Sequence, residues 1–499
     1  MLVHELIYQG ESDRIIFGGK LKITYGQLQD QVARFGEFFA AQGICPGDNV
    51  GLLAKNSPEF VYSYMAIVSL GAVVVPLNFQ LVPREIAYIV KDAGIRTLVT
   101  MNRLRLAGEL IDLGYNEPVR QLVIPEFLPH LPDLKDSAAA LARKAAVREG
   151  DLCAIIYTSG TTGNPKGAML SHKNLVSNAI EITHTLPAGP DDVFLCVLPM
   201  YHCFAWTCAV LGTMAYRGAI VIADTLGKEI VKTIRDHGVS VVYAVPTIYN
   251  YLLGWGEADD FKNVRFFISG GSALPLPLAE NFYRKFNKRI IQGYGLSEAS
   301  PVVSFNPVDK VKPESIGKPM AGISLRIVDA AGNDVPVGQC GELLVSGPNV
   351  MLGYYNLPEE TAKALRDGWL YTGDIACRDE EGYYYIKDRL KDMIITSGEN
   401  VYPREVEEAL LAHPAVLEAA VVGVADRIRG QDVYAFLVLK EGHALDAKSL
   451  REFLQDKIAV YKIPKVFAQM DALPKNATGK VVKSVLRDTA DEIIAGGQL

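Results

Sequence analysis

The sequence predicts an α/β protein with a large N-terminal domain of helix-covered sheets, a β-barrel-like subdomain and a small α+β C-terminal domain. Strand-like apolar runs alternate with helical periodicity through most of the chain, and short Gly- and Pro-containing joints separate them. This pattern changes near residue 315 and again after residue 392. A length of 499 residues is sufficient for about three folding units.

The N-terminal elements follow this alternation in order. A strand at 49–56 is followed by a helix at 59–70 and a strand at 72–78, and the same order recurs between residues 218 and 246. Helices between strands are typical of βαβ units, which form parallel sheets covered by helices. Ser171 precedes a further helical pattern and is predicted to cap that helix.

The second half of the chain has a different pattern. Short alternating strands with Gly-, Asn- and Pro-rich turns predict an antiparallel, barrel-like subdomain at about 315–387, within an N-terminal domain of residues 1–387. The charged segment 388–392 is predicted to be a hinge. Two helical and two strand patterns beyond it predict a C-terminal domain at 393–499, which has an ordinary domain size.

Two uncharged runs, at residues 60–83 and 193–216, are long enough to span a bilayer. Pro76 interrupts the first run, and Pro199 and His202 interrupt the second. Both runs also fit alternating helices and strands. We therefore expect buried α/β core and no transmembrane segment.

The composition excludes several classes of protein. Hydrophobic residues make up 49% of the chain and charged residues 21%, which is typical of a folded globular protein. A net charge of −7 gives no general attraction for nucleic acid. The seven cysteines form no CxxC pair, and the first residues lack a signal-peptide pattern. These features predict buried thiols, a reducing compartment and a cytoplasmic location.

Residues 157–167, YTSGTTGNPKG, carry the strongest local signal and follow a strand-like run. The glycines allow backbone N–H groups to turn inward, while the hydroxyls and Lys166 add donors and a positive charge. Such a loop predicts a phosphate-binding site. A Walker A loop needs Gly before the lysine and Ser or Thr after it, but Pro165 and Gly167 hold those positions. An ordinary P-loop ATPase is therefore disfavoured.

Six motifs in order make the chain similar to the AMP-forming adenylating enzymes, and within them to the acyl-CoA synthetases, most like medium- and long-chain fatty acid–CoA ligases. The motifs are the loop at 157–167, GGSALP (270–275), QGYGLSE (292–298), YTGD (371–374), DRLKDMIITSGENVYPREVE (388–407) and PKNATGK (474–480). The resemblance runs almost end to end. It implies a ligase that adenylates a carboxylic acid with ATP, releases pyrophosphate and passes the acyl group to coenzyme A, giving acyl-CoA and AMP.

The resemblance implies a site for ATP and Mg²⁺. Tyr294 would offer a flat face to adenine, and Asp374 and Arg389 would contact the ribose. Glu298 and Thr158 would hold Mg²⁺, a typical role for an oxygen ligand. The residues implied for ATP and AMP are Thr158, Ser159, Gly160, Thr161, Thr162, Gly163, Lys166, Gly271, Ser272, Ala273, Gln292, Gly293, Tyr294, Gly295, Ser297, Asp374, Arg389, Asn400 and Lys480.

Lys480 matches the family's catalytic lysine. A carboxylate that attacks the α-phosphorus approaches a polyanion, and an ammonium group would stabilise the charge that develops. The family's C-terminal domain is mobile and rotates between the two half-reactions about a hinge, which Lys391 matches. The rotation would bring Ser397, Gly398 and Gly423 to coenzyme A. Four basic residues are candidates for the phosphates of coenzyme A or are simply solvated charges: Arg427, Arg429, Lys462 and Lys465.

The segment at 198–206, LPMYHCFAW, matches the position of the family's acyl pocket. His202 could lie beside the substrate carboxylate, which also makes it a catalytic candidate together with Glu298 and Lys480. The alternative is a core aromatic cluster with a satisfied histidine. The implied pocket residues are Tyr201, His202, Trp206, Ser300 and Pro301.

The expected substrates are a small carboxylic acid, ATP and coenzyme A. A medium- or long-chain fatty acid is the first candidate, and an aromatic acid of the cinnamate or benzoate type is the second. A luciferase-like oxygenase and a non-catalytic acyl-adenylate-binding protein are alternatives from other classes, although retention of Glu298 and Lys480 disfavours the latter. A loading domain for a carrier protein is also disfavoured. Peripheral membrane contact and the oligomeric state are left open.

Overall fold

A computed structural model describes residues 1–137, 147–158, 165–223, 227–475 and 481–495. Its α-helices span Tyr25–Ala41, Pro58–Ser69, Pro83–Asp92, Ala107–Asp112, Ile124–Phe127, His172–Thr185, Gly212–Tyr216, Glu229–Asp236, Pro246–Trp255, Leu276–Phe286, Pro358–Ala364, Pro403–Leu411, Ala447–Gln455 and Lys483–Ala495. Five short 3₁₀ segments span Val3–Tyr8, Leu128–His130, Ala258–Phe261, Ser297–Ala299 and Val460–Lys462, and Ala205–Leu211 is π-helical.

Nine strands of the described chain form a mixed sheet with a parallel centre. In spatial order they are Lys318–Pro319, Val302–Phe305, Ile290–Gly295, Phe266–Ser269, Val241–Ala244, Val193–Cys196, Ala219–Ile222, Ile15–Phe17 and Ile23–Thr24. Helices connect the parallel strands, as the alternating pattern predicts.

A second sheet has seven strands among the described residues and is also mixed. In spatial order they are Gly353–Tyr354, Lys166–Ser171, Leu152–Thr158, Val73–Pro76, Asn49–Leu53, Thr97–Thr100 and Arg120–Val123. Leu152–Thr158 pairs in parallel with Val73–Pro76 and antiparallel with Lys166–Ser171. The segment predicted to bind phosphate therefore joins two neighbouring strands of this sheet.

The predicted antiparallel subdomain is a five-stranded sheet. Its strands are Ser324–Val328, Cys340–Ser346, Trp369–Arg378, Leu365–Arg366 and Tyr384–Arg389, and the last pairs with Trp369–Arg378. Residues 388 and 389 continue this pairing, because Asp374 lies opposite Arg389. The strand ends directly before Leu390, so only residues 390–392 of the predicted hinge 388–392 lie outside it, and the hinge stays a prediction.

The C-terminal part of the chain forms a separate sheet that is flanked by helices. This part has two hydrophobic cores of its own. The strands are Glu399–Val401, Ile394–Thr396, Gly430–Leu439, Val416–Asp426 and Val466–Gln469. The two helical and two strand patterns predicted from the sequence here are present. Separate cores allow this part to move as a unit without unpacking the N-terminal core.

The two long apolar runs lie in the protein core. Helix Pro58–Ser69 begins at Ser57, whose side chain accepts from the Phe60 N–H, and this helix is buried on all sides. The second run forms a strand and then a buried π- and α-helical segment, Ala205–Tyr216. In the described residues, no helix is long and apolar enough to cross a membrane. Ser171 caps its helix as predicted, by accepting from the Asn174 N–H.

Candidate active site

A cavity of about 2500 Å³ opens where the strands of the two large sheets end. Three strands end at this cavity: Thr158 and Ser269 are the last residues of their strands, and Val245 follows the end of another. The carboxyl ends of strands are the usual position of a ligand site in α/β sheets. The C-terminal part of the chain contributes Lys391, and Val481 to Ser484. Both parts of the molecule therefore form one candidate active site.

Tyr294, Asp374 and Arg389 meet at this cavity, although they lie on three different strands. The Tyr294 hydroxyl donates to Asp374 Oδ2, and Arg389 Nε lies 2.6 Å from Asp374 Oδ1. The Asp374 side chain is only 4% exposed. Burial by itself would lower the pKa of Arg389. The interaction with Asp374, assisted by Tyr294, outweighs burial and raises this pKa. Tyr294 and Arg389 line the cavity, and Asp374 fixes both of them from behind.

Two glycines beside Tyr294 are required by the neighbouring backbone. A Cβ atom on Gly295 would lie 2.1 Å from the Pro301 carbonyl oxygen, and one on Gly293 would lie 3.1 Å from the Phe305 ring. The strand Val302–Phe305 therefore approaches closely only because side chains are missing here. Gly271, which also lines the cavity, has a φ of +78° that favours glycine.

Glu298 enters the cavity from a short 3₁₀ segment and is oriented by a tyrosine. The Tyr354 hydroxyl donates to Glu298 Oε1 at 2.9 Å. Burial and the nearby Glu298 carboxylate raise the pKa of Tyr354, so this hydroxyl remains a donor at neutral pH. One carboxylate oxygen is thus engaged by Tyr354, and among the described residues no donor bonds to the other.

Lys166 lies next to this tyrosine at the end of the predicted phosphate loop. Its ammonium group forms an ion pair with Glu360 and lies 5.4 Å from the centre of the Tyr354 ring. Glu360 also contacts Lys363 at 2.7 Å. The lysine expected to bind phosphate is therefore held by a carboxylate that a polyanionic ligand would have to replace.

His202 and Cys203 line the cavity between the two large sheets. The backbone N–H of Phe204 donates to His202 Nδ1 at 3.2 Å, which places the ring proton on Nε2. Burial lowers the pKa of His202 to about 4, so the ring is neutral at pH 7. The Cys203 thiol lies 3.1 Å from the Ser297 hydroxyl. His202 can thus offer a neutral N–H donor to a substrate carboxylate.

The structure places Tyr201, His202 and Pro301 on the cavity wall, but it corrects two other pocket predictions. Trp206 does not line the cavity: it is 2% exposed and stacks on Tyr64 with ring centres 3.9 Å apart. Ser300 is fully buried beneath Pro301 and does not line the cavity either. Both residues are directed into the core by the packing around them.

Several predicted contacts do not lie on the wall of this cavity. Asn400, proposed for the nucleotide, is exposed on the strand Glu399–Val401 of the C-terminal sheet, and its contact with the nucleotide stays a prediction. Ser272 and Ala273 follow Gly271 but are exposed, and Gln292 is buried in its strand. Three residues proposed for coenzyme A also lie off the cavity: Ser397, Gly398 and Gly423.

Some predicted residues cannot be placed. Ser159, Gly160, Thr161, Thr162 and Gly163, together with Lys480, lie outside the described residues. Their described neighbours in sequence, Thr158 and Val481, line the cavity.

Sequence reasoning missed two residues of the site, Tyr354 and Glu360. Tyr354 meets Glu298 from 56 positions away in the chain, and Glu360 meets Lys166 from 194 positions away. Only pairing of the strand Gly353–Tyr354 with Lys166–Ser171 brings these groups together. A Gly-Tyr-Tyr segment without a nearby charged partner is unremarkable in sequence alone.

The donor chemistry fits a magnesium ion shared with a phosphate ligand. Among the described residues, no group of three or more His, Cys, Asp and Glu side chains could hold a metal ion by itself. Mg²⁺ usually takes one or two protein carboxylates, and phosphate and water oxygens complete its coordination. Glu298, whose second carboxylate oxygen accepts no hydrogen bond from the described residues, matches this requirement, and Thr158 adds a hydroxyl on the same cavity.

The fold and the cavity define a two-part α/β protein with one large cavity lined by residues of both parts. Comparisons with known proteins agree. The model of the AMP-binding enzyme family matches residues 7–355, and that of the AMP-binding enzyme C-terminal domain matches residues 405–480. The chain belongs to the AMP-binding enzyme family and is an AMP-forming acid–CoA ligase.

Similar proteins act on different acids. The chain is 34% identical to a long-chain-fatty-acid–CoA ligase of Bacillus subtilis, over 96% of this chain and 92% of that protein. It is 35% identical to a feruloyl-CoA synthase of an Amycolatopsis species, over 94% of each. The crystal structure of ATP-bound MatB from Rhodopseudomonas palustris matches with a TM-score of 0.90 and 32% identity, over 99% of this chain and 100% of that one.

Proposed function

We propose that this ligase uses ATP and Mg²⁺ to adenylate a carboxylic acid with an apolar tail, and then transfers the acyl group to coenzyme A. The observation that carries this proposal is the convergence of Tyr294, Glu298 and Arg389 with C-terminal residues Lys391 and Val481 on one cavity. Adenylation needs a nucleotide, a carboxylate and cationic groups in contact, and this cavity brings such groups together.

The chain's own residues have distinct tasks in the first half-reaction. Arg389 and Tyr294, fixed by Asp374, position the nucleoside, and Glu298 supplies a carboxylate oxygen to the metal. Bound Mg²⁺ would neutralise charge on the phosphate oxygens. His202 is neutral and donates through Nε2, so it can orient the acid without a competing charge. These assignments make the site complementary to a crowded, anionic transition state.

A medium- or long-chain fatty acid is the first candidate substrate. Apolar side chains line the cavity together with His202, among them Ile182, Leu186, Cys208 and Ile248. Apolar walls favour an aliphatic tail, because its burial is favourable by about 25 cal/mol per Å². The Bacillus subtilis relative is named a long-chain-fatty-acid–CoA ligase, which supports this candidate.

An aromatic acid is the second candidate. Aromatic rings also line the cavity, among them Phe79 and Tyr201 in edge-to-face contact at 5.5 Å, and Phe204 and Tyr243 at 6.0 Å. Such edges and faces suit a flat ring as ligand. The Amycolatopsis relative, a feruloyl-CoA synthase, gives this candidate independent support.

The second half-reaction requires a different arrangement of the C-terminal part. Ser397, Gly398 and Gly423, proposed for coenzyme A, lie off the cavity here. Rotation about Lys391 would bring them in, and the ion pair between Arg487 and Asp392, now 2.5 Å long, lies beside this pivot. Separate arrangements let pyrophosphate leave before the thiol enters and keep water from the mixed anhydride.

An ATP–pyrophosphate exchange screen tests this function. Saturated acids of increasing chain length are compared with cinnamate and benzoate derivatives, first without and then with coenzyme A, and thioester is measured directly. We expect exchange with one class of acid and thioester only when coenzyme A is present. Exchange with no acid would overturn the proposal and favour a binding protein. Exchange without any thioester would point to a luciferase-like or carrier-loading reaction.

A further inference from the structure

Two cysteines face each other across the five-stranded antiparallel sheet. Cys340 begins the strand Cys340–Ser346, and Cys377 lies directly opposite it on Trp369–Arg378. Opposed residues in antiparallel strands have Cα atoms about 4.5–5.5 Å apart. This separation falls within the range of about 4.4–6.8 Å that a disulfide bridges. Both thiols are free in this structure.

The pair lies on the outer face of the sheet. Ala376, the residue before Cys377, is fully buried in the small core formed with Leu343 and Tyr384. Side chains alternate along a strand, so Cys377 faces away from that core. Cys340 is exposed and Cys377 is half-buried. A small oxidant dissolved in water can therefore reach the pair, although the sequence predicted buried thiols.

A positive charge lies near both thiols. The Lys387 ammonium group opposes the effect of burial on the pKa of Cys340 and of Cys377, and so favours the thiolate at either position. The two thiols also interact with each other, so they titrate as a pair. Because the thiolate is the nucleophilic form of cysteine, the sulfur that ionises first attacks and the other thiol resolves.

We propose that Cys340 and Cys377 are an oxidation site, at which a peroxide forms a cross-strand disulfide. The thiolate of one of the two cysteines attacks one oxygen of hydrogen peroxide: an S–O bond forms, the O–O bond breaks, and hydroxide leaves and takes up a proton. The sulfur of the other cysteine then attacks the resulting sulfenic acid; an S–S bond forms, the S–O bond breaks, and the departing hydroxide takes the proton of that second thiol. The two sulfurs lose two electrons, and one peroxide becomes two water molecules.

The position of the pair connects this chemistry to the cavity. The bridge would close the segment 341–376, which carries Glu360 and Asp374. Glu360 forms the ion pair with Lys166. Asp374 contacts both Tyr294 and Arg389. Because Cys340 and Cys377 are already in register, the bridge needs no change in strand pairing.

Peptide mapping of the full-length protein tests the proposal. Reduced protein, freed of reductant, is treated with a small molar excess of hydrogen peroxide; remaining thiols are alkylated, and the digest is analysed without reduction. We expect a linked pair of peptides that contain Cys340 and Cys377, lighter by two hydrogen atoms and separated again by dithiothreitol. The linked pair of peptides should be missing from C340S and from C377S. C45S, which removes an exposed cysteine elsewhere, should retain it.

Dimedone, which traps sulfenic acids, tests the intermediate. In C340S and in C377S one thiol of the pair is missing, so dimedone should label the remaining cysteine of the pair in at least one of the two variants. Labelling in neither variant, under conditions that form the disulfide in the wild type, would refute the sulfenic acid step. If Cys340 and Cys377 of the treated wild type remain open to alkylation while Cys45 is oxidised, the pair is not an oxidation site.

Discussion

Replacing Tyr354 by phenylalanine removes the hydroxyl that donates to Glu298 at 2.9 Å and leaves the ring in place beside Lys166. A hydrogen bond to a charged group contributes about 1.5–3 kcal/mol, and we take about 1–2 kcal/mol because both side chains are only partly buried. If Glu298 holds Mg²⁺, this loss raises the Mg²⁺ concentration needed for half-maximal adenylation by about 5- to 30-fold. The maximal rate at saturating Mg²⁺ should change less.

The assay is ATP–pyrophosphate exchange at fixed ATP and acid over a range of Mg²⁺ concentrations. Tyr355→Phe is the matched control, because the Tyr355 hydroxyl contacts Asn49 Nδ2 at 3.1 Å rather than Glu298. The control should show the Mg²⁺ dependence of the wild type. An unchanged Mg²⁺ dependence in Tyr354→Phe, with exchange otherwise intact, would refute the positioning of Glu298 by this hydroxyl.

Three further predictions concern single side chains. Lys480→Ala should slow adenylate formation by about 10²-fold or more, whereas thioester formation from supplied acyl-adenylate should largely survive; equal loss in both half-reactions would contradict the role of this lysine. Glu360→Gln should free Lys166 for phosphate and lower the KM for ATP by about two- to five-fold at low salt; a raised KM would show that Glu360 supports the bound state instead. Burial, aided by the neighbouring His4, lowers the pKa of His172 from 6.5 to about 4. As the pH drops, the unfolded chain therefore binds a proton at this histidine before the folded protein does. The free energy of unfolding should fall by up to about 1.4 kcal/mol per pH unit between pH 6.5 and pH 4. His172→Gln should weaken this pH dependence in thermal unfolding, and an unchanged slope would rule out His172 as its source.

The periodicity of the sequence was sufficient for the order of the main elements. Buried runs such as Pro58–Ser69 have an N-cap residue, a proline in the first turn and a length that fits only a helix. Such signals are local, because capping and chain stiffness act within a few residues. The end of the strand at Arg389 was missed, since its pairing with Asp374 is a non-local interaction.

The resemblance in the motifs placed Tyr294, Glu298 and Arg389 at one cavity, and the structure brings all three there. It failed for Trp206, because an aromatic residue next to a pocket residue can equally well pack into the core, as its stacking on Tyr64 shows. Asn400 lies off the cavity wall, and its predicted contact with the nucleotide is not tested by this arrangement.

The sequence by itself determined the family, the type of reaction and the residue types that carry it, because these depend on short motifs whose chemistry is local. Only the tertiary structure decided how those residues are held. The Tyr354 hydroxyl reaches Glu298, Glu360 reaches Lys166, and Cys340 opposes Cys377, each from a distant part of the chain. The reason is physical: strand register and domain packing set these contacts, and neither is encoded in the spacing of any one motif.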